Sequence, residues 1–371
     1  MFILIIVIFL FAAYSILIMY YWRCWQSAPD FVPHNKSLTT PVSIIVAARN
    51  EEENIGTLLN ALEEQTYPAS LSQVIVVNDH STDRTSEIVK QFNGVTLIDL
   101  TDNEINSYKK KALQRGIETA SGKLIITTDA DCLPPPKWLE TIVAFYEEKK
   151  GLFIAAPVMF QTDSSIIELF QSLDFLVLQG ITAASVHKQV HSMCNGANVA
   201  YEKTAFEEVK GFDGIDKIAS GDDMLLMHKI WKKFPGKVYY IKSREAIVIT
   251  QPMKTWKQFF NQRIRWASKA RFYNDTRIFL VLLLVYLFNL SFLALLVLAV
   301  WFPVLWFYLL ALWFAKTIIE YPFVHSVAKF FNRQSLLKYF FFFQPLHIAY
   351  TIVAGWLGQF GAYEWKGRKV R

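Results

Sequence analysis

Apolar residues are segregated along this chain rather than spread through it. Residues 2–22, Phe2 to Trp22, carry no charge and are long enough for a helix to cross a bilayer core of ~30 Å. No basic stretch precedes this run and no small-x-small cleavage site follows it, so it reads as a retained anchor and not as a signal peptide. A second apolar block follows Asp275-Thr276-Arg277. Ile278–Val300 predicts a spanning helix, Pro303 breaks the run, and Val304–Val324 predicts another span whose only charges are Lys316 and Glu320. Residues 325–338 are basic and amphipathic, as an interfacial stretch is. Tyr339–Phe360 is a third apolar run, interrupted by Gln344-Pro345 and His347; it either crosses fully or re-enters as a hairpin around Pro345.

The middle of the chain has a different rhythm. Pro41–Ala48, Val74–Val77, Val95–Ile98 and Leu124–Thr128 are short β-rich runs. Between them, Ile55, Leu58, Leu59 and Leu62 recur at helical spacing, Ile88 and Val89 suit a helix capped by Ser81 or Thr82, and Lys109–Ala120 suits another helix. Strand, acidic loop, helix, repeated, predicts an α/β domain with a mainly parallel central sheet. In such sheets ligands bind outside the carboxyl ends of the strands, where the Asp79 and Asp131 loops fall. The chain thus divides into an anchor at 1–22, a polar domain with interfacial helices at 23–277, and a membrane region with a basic tail at 278–371.

Charge orients these parts. No Lys or Arg precedes the first span, whereas Arg23, Lys36 and Arg49 follow it, and Lys257, Arg263, Arg265, Lys269, Arg271 and Arg277 precede the second. The polar domain is therefore expected on the cytoplasmic face of an integral membrane protein, in a bacterial inner membrane. A third full crossing would place the tail, Trp365 to Arg371, on the opposite face, against the same rule. The 371 residues are 53% hydrophobic and 19% charged, with net charge +6, which suits either positive-inside bias or attraction to anionic headgroups and substrates. Cys24, Cys132 and Cys194 are too few and scattered for a disulfide framework or a zinc site. Sequons at Asn35 and Asn274 would go unused on a cytoplasmic face, and no nucleic-acid module is present.

Several polar clusters carry candidate chemistry, and each also has an ordinary structural use. Asp129-Ala130-Asp131 closes an apolar strand and offers two hard oxygen ligands for Mg²⁺ or Mn²⁺, though two aspartates also simply form turns. Asp79 and the Arg49-Asn50-Glu51 loop suit a base or ribose, or else helix caps; for Asp83 the capping role is the expected one. Lys109, Lys110 and Lys111 suit phosphates, or a solvated helix end. Ser220-Gly221-Asp222-Asp223 suits a helix N-cap, or a general base. Gln262-Arg263-Ile264-Arg265-Trp266 suits a basic-aromatic membrane anchor. No Gly-rich Walker loop is present, which disfavours P-loop nucleotide chemistry.

Taken in order, these motifs resemble glycosyltransferase family 2, the inverting nucleotide-sugar transferases of GT-A fold. Val46-Ala47-Ala48-Arg49-Asn50-Glu51-Glu52 is similar to the family's opening strand and loop, and Val77 to Asp83 to its nucleoside loop. Lys109 precedes the Ala112-Leu113 pair as the family's basic residue does. Asp129 and Asp131 match the Asp-x-Asp motif, Gly196-Ala197-Asn198 the acceptor-side segment, Asp223 the catalytic Asp, and Gln262, Arg265 and Trp266 the Gln-x-x-Arg-Trp motif. Two positions depart from the pattern: Asp222 stands where Glu is common, and Ala-Ala-Arg-Asn where many members have Pro-Ala-Tyr-Asn.

The resemblance implies nucleotide-sugar binding by Ala48, Arg49, Asn50, Glu51, Asp79, Lys109 and Asp129, and a divalent cation on Asp131 and Asp129. It implies catalysis by Asp223 with Asp222, Gln262, Arg265 and Trp266, and an acceptor near Gly196, Ala197 and Asn198. The expected donor is a UDP-sugar. Few spans leave little helix surface for a polymer channel, so a membrane lipid or lipid-linked acceptor is expected, with a processive polysaccharide synthase as the alternative. A membrane protein that binds nucleotide sugars without transferring them is a further alternative. It is disfavoured because no member of the metal pair and no base is lost.

Overall fold

The computed structural model describes residues 2–34, 37–101, 108–161, 165–190, 194–216, 218, 221–269, 275–360, 363–365 and 368–370. Asn35 and Asn274 of the sequons, Lys36, Arg271, Ser220 and parts of the basic tail lie outside the described residues. In chain order, α1 (Phe2–Ser27) precedes β1 (Val42–Ala48), α2 (Ile55–Glu63), β2 (Ser72–Asn78), α3 (Thr85–Val89), β3 (Val95–Asp99), α4 (Tyr108–Thr119) and β4 (Leu124–Asp129). Next come α5 (Trp138–Lys149), β5 (Phe153–Ala155), β6 (Val158–Phe160), α6 (Ile166–His187), β7 (Val199–Glu202), α7 (Lys203–Glu208) and α8 (Met224–Lys233). After them run β8 (Val238–Tyr240), β9 (Val248–Thr250), α9 (Trp256–Ser268), α10 (Thr276–Leu298), α11 (Leu305–Phe330), α12 (Phe340–Phe360), β10 (Tyr363–Trp365) and β11 (Arg368–Val370).

These elements form two compact units. One, the sheet unit, comprises Pro29–Gln161 and Ser192–Gln251; the other, the helical unit, comprises Met1–Ala28, Thr162–His191 and Pro252–Arg371. The polar span expected at 23–277 therefore contains two stretches, around α6 and α9, that pack with the apolar helices.

The sheet unit is α/β. Its seven strands run in the order β3-β2-β1-β4-β7-β5-β8, with β3, β2, β1 and β4 mutually parallel and β7 antiparallel to both neighbours. β1 sits inside the sheet, so Ile44, Ile45 and Val46 are all buried, as a strand covered on both faces requires. Ile55, Leu58, Leu59 and Leu62 of α2 are buried at the helical spacing seen in the sequence, each burial stabilising by about 1.5–3 kcal/mol. Parallel pairing brings the carboxyl ends of β1, β2 and β4 to one edge. Because β7 runs the other way, with Thr127 opposite Val199, its amino end reaches the same edge. A separate parallel pair, β6 with β9, puts Thr250 at the end of β9. The N-cap residue of α3 is Arg84, without a side-chain cap bond; Asp83, for which a capping role is expected, accepts from the Thr85 amide at 3.0 Å.

Among the described residues of the helical unit, five helices are long and apolar enough to cross a membrane: α1, α6, α10, α11 and the stretch 334–359 that includes α12. Phe9, Phe279, Phe307 and Phe342 point outward and are exposed, which suits a lipid environment and not water. The α6 helix was not anticipated, because Glu168, Gln171 and Asp174 interrupt its apolar pattern. It is the inner helix: 67% of its most apolar window is buried, against 17–33% in the other four. The run from Phe340 to Phe360 is one continuous helix through Pro345, not a hairpin. Lys316 and Glu320, the two charges of α11, pair at 2.7 Å and are closed in by Gln344 of α12 and the Tyr14 hydroxyl of α1. Polar groups inside an apolar bundle must meet one another, and these do.

Gly122, just before β4, packs against β1: an added Cβ would come within 2.4 Å of the Ser43 amide nitrogen and 2.5 Å of the Val42 carbonyl carbon. Backbone cannot yield as a side-chain tip can. Gly122→Ala should therefore destabilise the sheet unit by about 1–3 kcal/mol, read as a lower thermal midpoint of the purified protein. An unchanged midpoint would mean that β1 and β4 are not held as tightly as described.

Candidate active site

The edge where the strand ends converge gathers most of the polar residues singled out in the sequence. At the β1–β2 side, Ala48 is buried and its carbonyl accepts from the Asp79 amide at 2.8 Å. Arg49 donates to the carbonyls of Asp79 at 2.9 Å and His80 at 3.2 Å, and its guanidinium stands 3.9 Å from the Asp79 carboxylate. His80 Nδ1 lies 3.0 Å from the same carboxylate. Asn50 and His80 both adopt left-handed backbone, at φ 51° and 53°. The Asn50 side chain stabilises that turn by accepting from the Thr82 amide at 2.9 Å. Glu51 accepts from Asn54 at 2.8 Å and donates its amide to Thr85. Asp83 is spent on this loop, through Glu52 and Thr85, as expected of it.

At the β4 side the central feature is Lys109, at the start of α4. Its ammonium meets Asp129 at 2.6 Å and Asp222 at 3.3 Å. Burial alone would push the Lys109 pKa down; the carboxylates of Asp129, Asp222 and Asp223 outweigh it and the net shift is upward. A raised lysine pKa means that the ion pairs persist through neutral pH and are lost only as pH rises above the ordinary lysine range. Asp223 begins α8, where its Oδ1 caps the Met224 amide at 2.7 Å while its Oδ2 accepts from the Gly196 amide at 2.9 Å. The expected cap and a fixed carboxylate are therefore the same residue.

Asp131 lies beyond the strand, with its Oδ2 3.2 Å from the Thr250 hydroxyl of β9. Burial, then Asp131 and Asp129, push the neighbouring Cys132 thiol well up, which keeps it protonated and unsuited to bind metal. Among the described residues no three His, Cys, Asp or Glu side chains cluster as a metal cage. Two carboxylates at the mouth of a strand, one of them neutralised by Lys109, instead suit a hard divalent ion whose other ligands come from a phosphate.

Three sequence expectations look different in the structure. Asn198 does not face outward: it is fully buried, accepts from the Trp138 indole at 3.0 Å and donates to the carbonyls of Pro157 and Ala246, both at 2.8 Å. Gly196 and Ala197 are buried as well. Lys110 is no solvated helix end; it is buried and donates to the carbonyls of Ile215 at 2.9 Å and of Ile218. It thereby ties α4 to the loop leading to Asp222. Its place in a run of three lysines gave no sign of this.

The Gln262–Trp266 motif belongs to the helical unit, on α9, which opens with a capping box between Thr255 and Gln258. Gln262, Arg265 and Trp266 fall at i, i+3 and i+4, hence on one face, and all three are partly exposed. Arg263, between them in sequence, is buried and meets Asp174 of α6 at 2.7 Å. The sequence passed over Asp174; its signal was an isolated acid within an apolar stretch.

Gly196 stands where a Cβ would come within 3.1 Å of the Asp222 carboxylate and 3.3 Å of Asp223 Cβ. Gly196→Ala should displace Asp223 by tenths of an ångström. Turnover should fall about 10–100-fold in kcat with the thermal midpoint nearly unchanged. Wild-type kcat in this variant would show that the placement of Asp223 is not critical.

Residues 43–210 match the family model described as Glycosyl transferase family 2. A probable glycosyltransferase, YdaM, of Bacillus subtilis is 27% identical over 239 residues, 61% of this chain and 54% of its own. A poly-beta-1,6-N-acetyl-D-glucosamine synthase of Staphylococcus epidermidis is 25% identical over 271 residues, covering 69% of this chain and 63% of that one. A 4,4'-diaponeurosporenoate glycosyltransferase of Staphylococcus aureus is 36% identical over 129 residues, about a third of each chain. These matches span less than two thirds of the relatives' own lengths. Among solved structures, the mannosyltransferase PcManGT of Pyrobaculum calidifontis, in complex with GDP-Man and Mn²⁺, superposes with a TM-score of 0.60 at 19% identity. It covers 96% of this chain and 99% of its own, which supports the GT-A fold. The family match over residues 43–210, the mainly parallel sheet and these relatives together support a glycosyltransferase of family 2.

Proposed function

We propose that the protein moves a sugar from a nucleotide-diphospho-sugar to a hydroxyl of a membrane lipid or lipid-linked acceptor, with inversion at the anomeric carbon. The observation that carries this reading is Asp223: a carboxylate fixed by two backbone amides, beside Lys109 and the Asp129 strand end. A carboxylate oriented in this way can take a proton from an acceptor hydroxyl. The hydroxyl oxygen then bonds to the anomeric carbon as the bond to the diphosphate breaks on the far side. Asp222, paired to Lys109, helps to hold the base in place.

The donor is proposed to lie along the edge formed by Ala48, Arg49, Asn50, Glu51 and Asp79, with Lys109 able to exchange Asp129 for a phosphate oxygen. Asp131, with Asp129, would hold Mg²⁺ or Mn²⁺, which supplies neutralisation of the diphosphate charge when bound. The roles of Gln262, Arg265 and Trp266 rest on the motif: Arg265 to stabilise the departing diphosphate, Trp266 as an apolar surface under the sugar or acceptor. UDP is the expected nucleotide; the structural neighbour's GDP-Man makes GDP-sugars the first competitors to assay. A lipid acceptor is supported by the five membrane-length helices and by the relative named for 4,4'-diaponeurosporenoate. Charge distribution supports a cytoplasmic sheet unit at a bacterial inner membrane. The polymer-synthase reading is favoured by the synthase that aligns over 69% of the chain.

Labelled UDP- and GDP-sugars, offered with Mg²⁺ or Mn²⁺ to membranes holding the protein, should give one labelled lipid. A ladder of sizes would instead select polymer synthesis. Asp223→Asn should abolish transfer while leaving nucleotide binding within about twofold, since the amide keeps the shape and loses the basicity. Full turnover by that variant would remove Asp223 as the base.

A further inference from the structure

The inner helix α6 grips α9 along one face. Asp174 and Arg263 are almost fully buried, with side-chain exposures of 4% and 3%, and meet at 2.7 Å. The other oxygen of Asp174 accepts from the Tyr350 hydroxyl of α12 at 2.6 Å. Three residues earlier on α6, Gln171 clasps the backbone just ahead of α9: its amide donates to the Met253 carbonyl at 2.8 Å and its oxygen accepts from the Met253 amide at 3.0 Å. On the same side, Phe170 packs edge-on against Phe259 and Phe175 lies 6.1 Å from Trp266. The Arg263 guanidinium stands over the Trp266 ring at 4.3 Å. The most deeply buried residue of the pentapeptide is thus tied both to Asp174 and to the aromatic ring of the motif.

A buried ion pair is a poor source of net stability, because desolvation offsets most of the attraction. Its attested use is to fix register. Nor does this pair suit a subsite for an anionic headgroup: the two charges cancel, with Arg263 against one carboxylate oxygen and the Tyr350 hydroxyl donating to the other. A helix turns about 100° per residue, so a pin at one position sets where the neighbouring positions point. We propose that Asp174 is a positioning residue for sugar transfer: through Arg263 and Tyr350 it fixes the rotation of α9, and so the placement of Gln262, Arg265 and Trp266. This rests on the transferase reading above.

The test uses the full-length protein in lipid nanodiscs, with Asp174→Asn, Arg263→Met and the double variant. The carboxamide oxygen introduced by Asp174→Asn would still accept from Tyr350. Each single change strands a buried charge and should lower the thermal midpoint, whereas the double change should restore it to near wild type. The double variant should nevertheless keep a kcat about 100-fold below wild type, with donor KM within about twofold. Amide hydrogen exchange across residues 256–268 should be faster in it than in wild type. A double variant that regains both midpoint and kcat would overturn the proposal, because the pair would then serve only to neutralise itself. A wild type that transfers no sugar to any acceptor would sink the transferase reading instead. The exchange rate of α9 would then decide alone: faster exchange upholds the pin, unchanged exchange removes it.

Discussion

The site depends on how Lys109 balances the carboxylates around it. Parallel pairing of β1, β2 and β4 brings their acidic ends to one edge, and α8 adds Asp222 and Asp223 in the same unit. Unit charges about 4 Å apart interact by about 4 kcal/mol at an effective dielectric of ~20, so uncompensated carboxylates would force one another to protonate or move. Lys109 bridges Asp129 and Asp222 and feels Asp223 as well. Asp223 itself is held by backbone amides, Gly196 on one oxygen and Met224 on the other. In the proposed reaction a donor diphosphate would bring negative charge to the same edge, and a lysine already there could share it without a new cation being recruited.

The helical unit solves a different problem. Polar groups within apolar helices need partners from neighbouring helices, and among the described residues two sets supply them across helices: Lys316, Glu320, Gln344 and Tyr14 in one, Asp174, Arg263 and Tyr350 in the other. Each set links three helices. Directional contacts of this kind specify rotation and register, which apolar packing alone leaves loose. They also give the motif-bearing helix α9 a fixed seat on α6 and α12, where Phe170, Phe259 and Tyr350 form a shared aromatic core.

How much of this was legible in the sequence varies with the physics of each part. The strands of the sheet were visible because β1, β2 and β4 are apolar runs ending at acidic loops, and covered strands must be apolar. Four of the membrane-length helices were visible by length and lack of charge. The fifth, α6, was hidden for the opposite reason: an inner helix is free to carry Gln171 and Asp174, which breaks the apolar pattern that reveals a lipid-facing one. Motif order located the acidic cluster, but not the partner of each residue. Asn198 matched a motif and turned out to be a buried brace for Trp138, Pro157 and Ala246. Lys110 sat in a lysine run and turned out to tie down a loop. Such roles depend on which carbonyls a fold leaves unpaired, and that is a tertiary fact.

Direct displacement, with one carboxylate base and no covalent sugar–enzyme intermediate, is the central claim. It is tested most directly by the anomeric configuration of the product, read by NMR on the glycolipid made from a donor of known configuration. Inversion relative to the donor is expected. A product with retained configuration would contradict single displacement and, with it, the role given to Asp223.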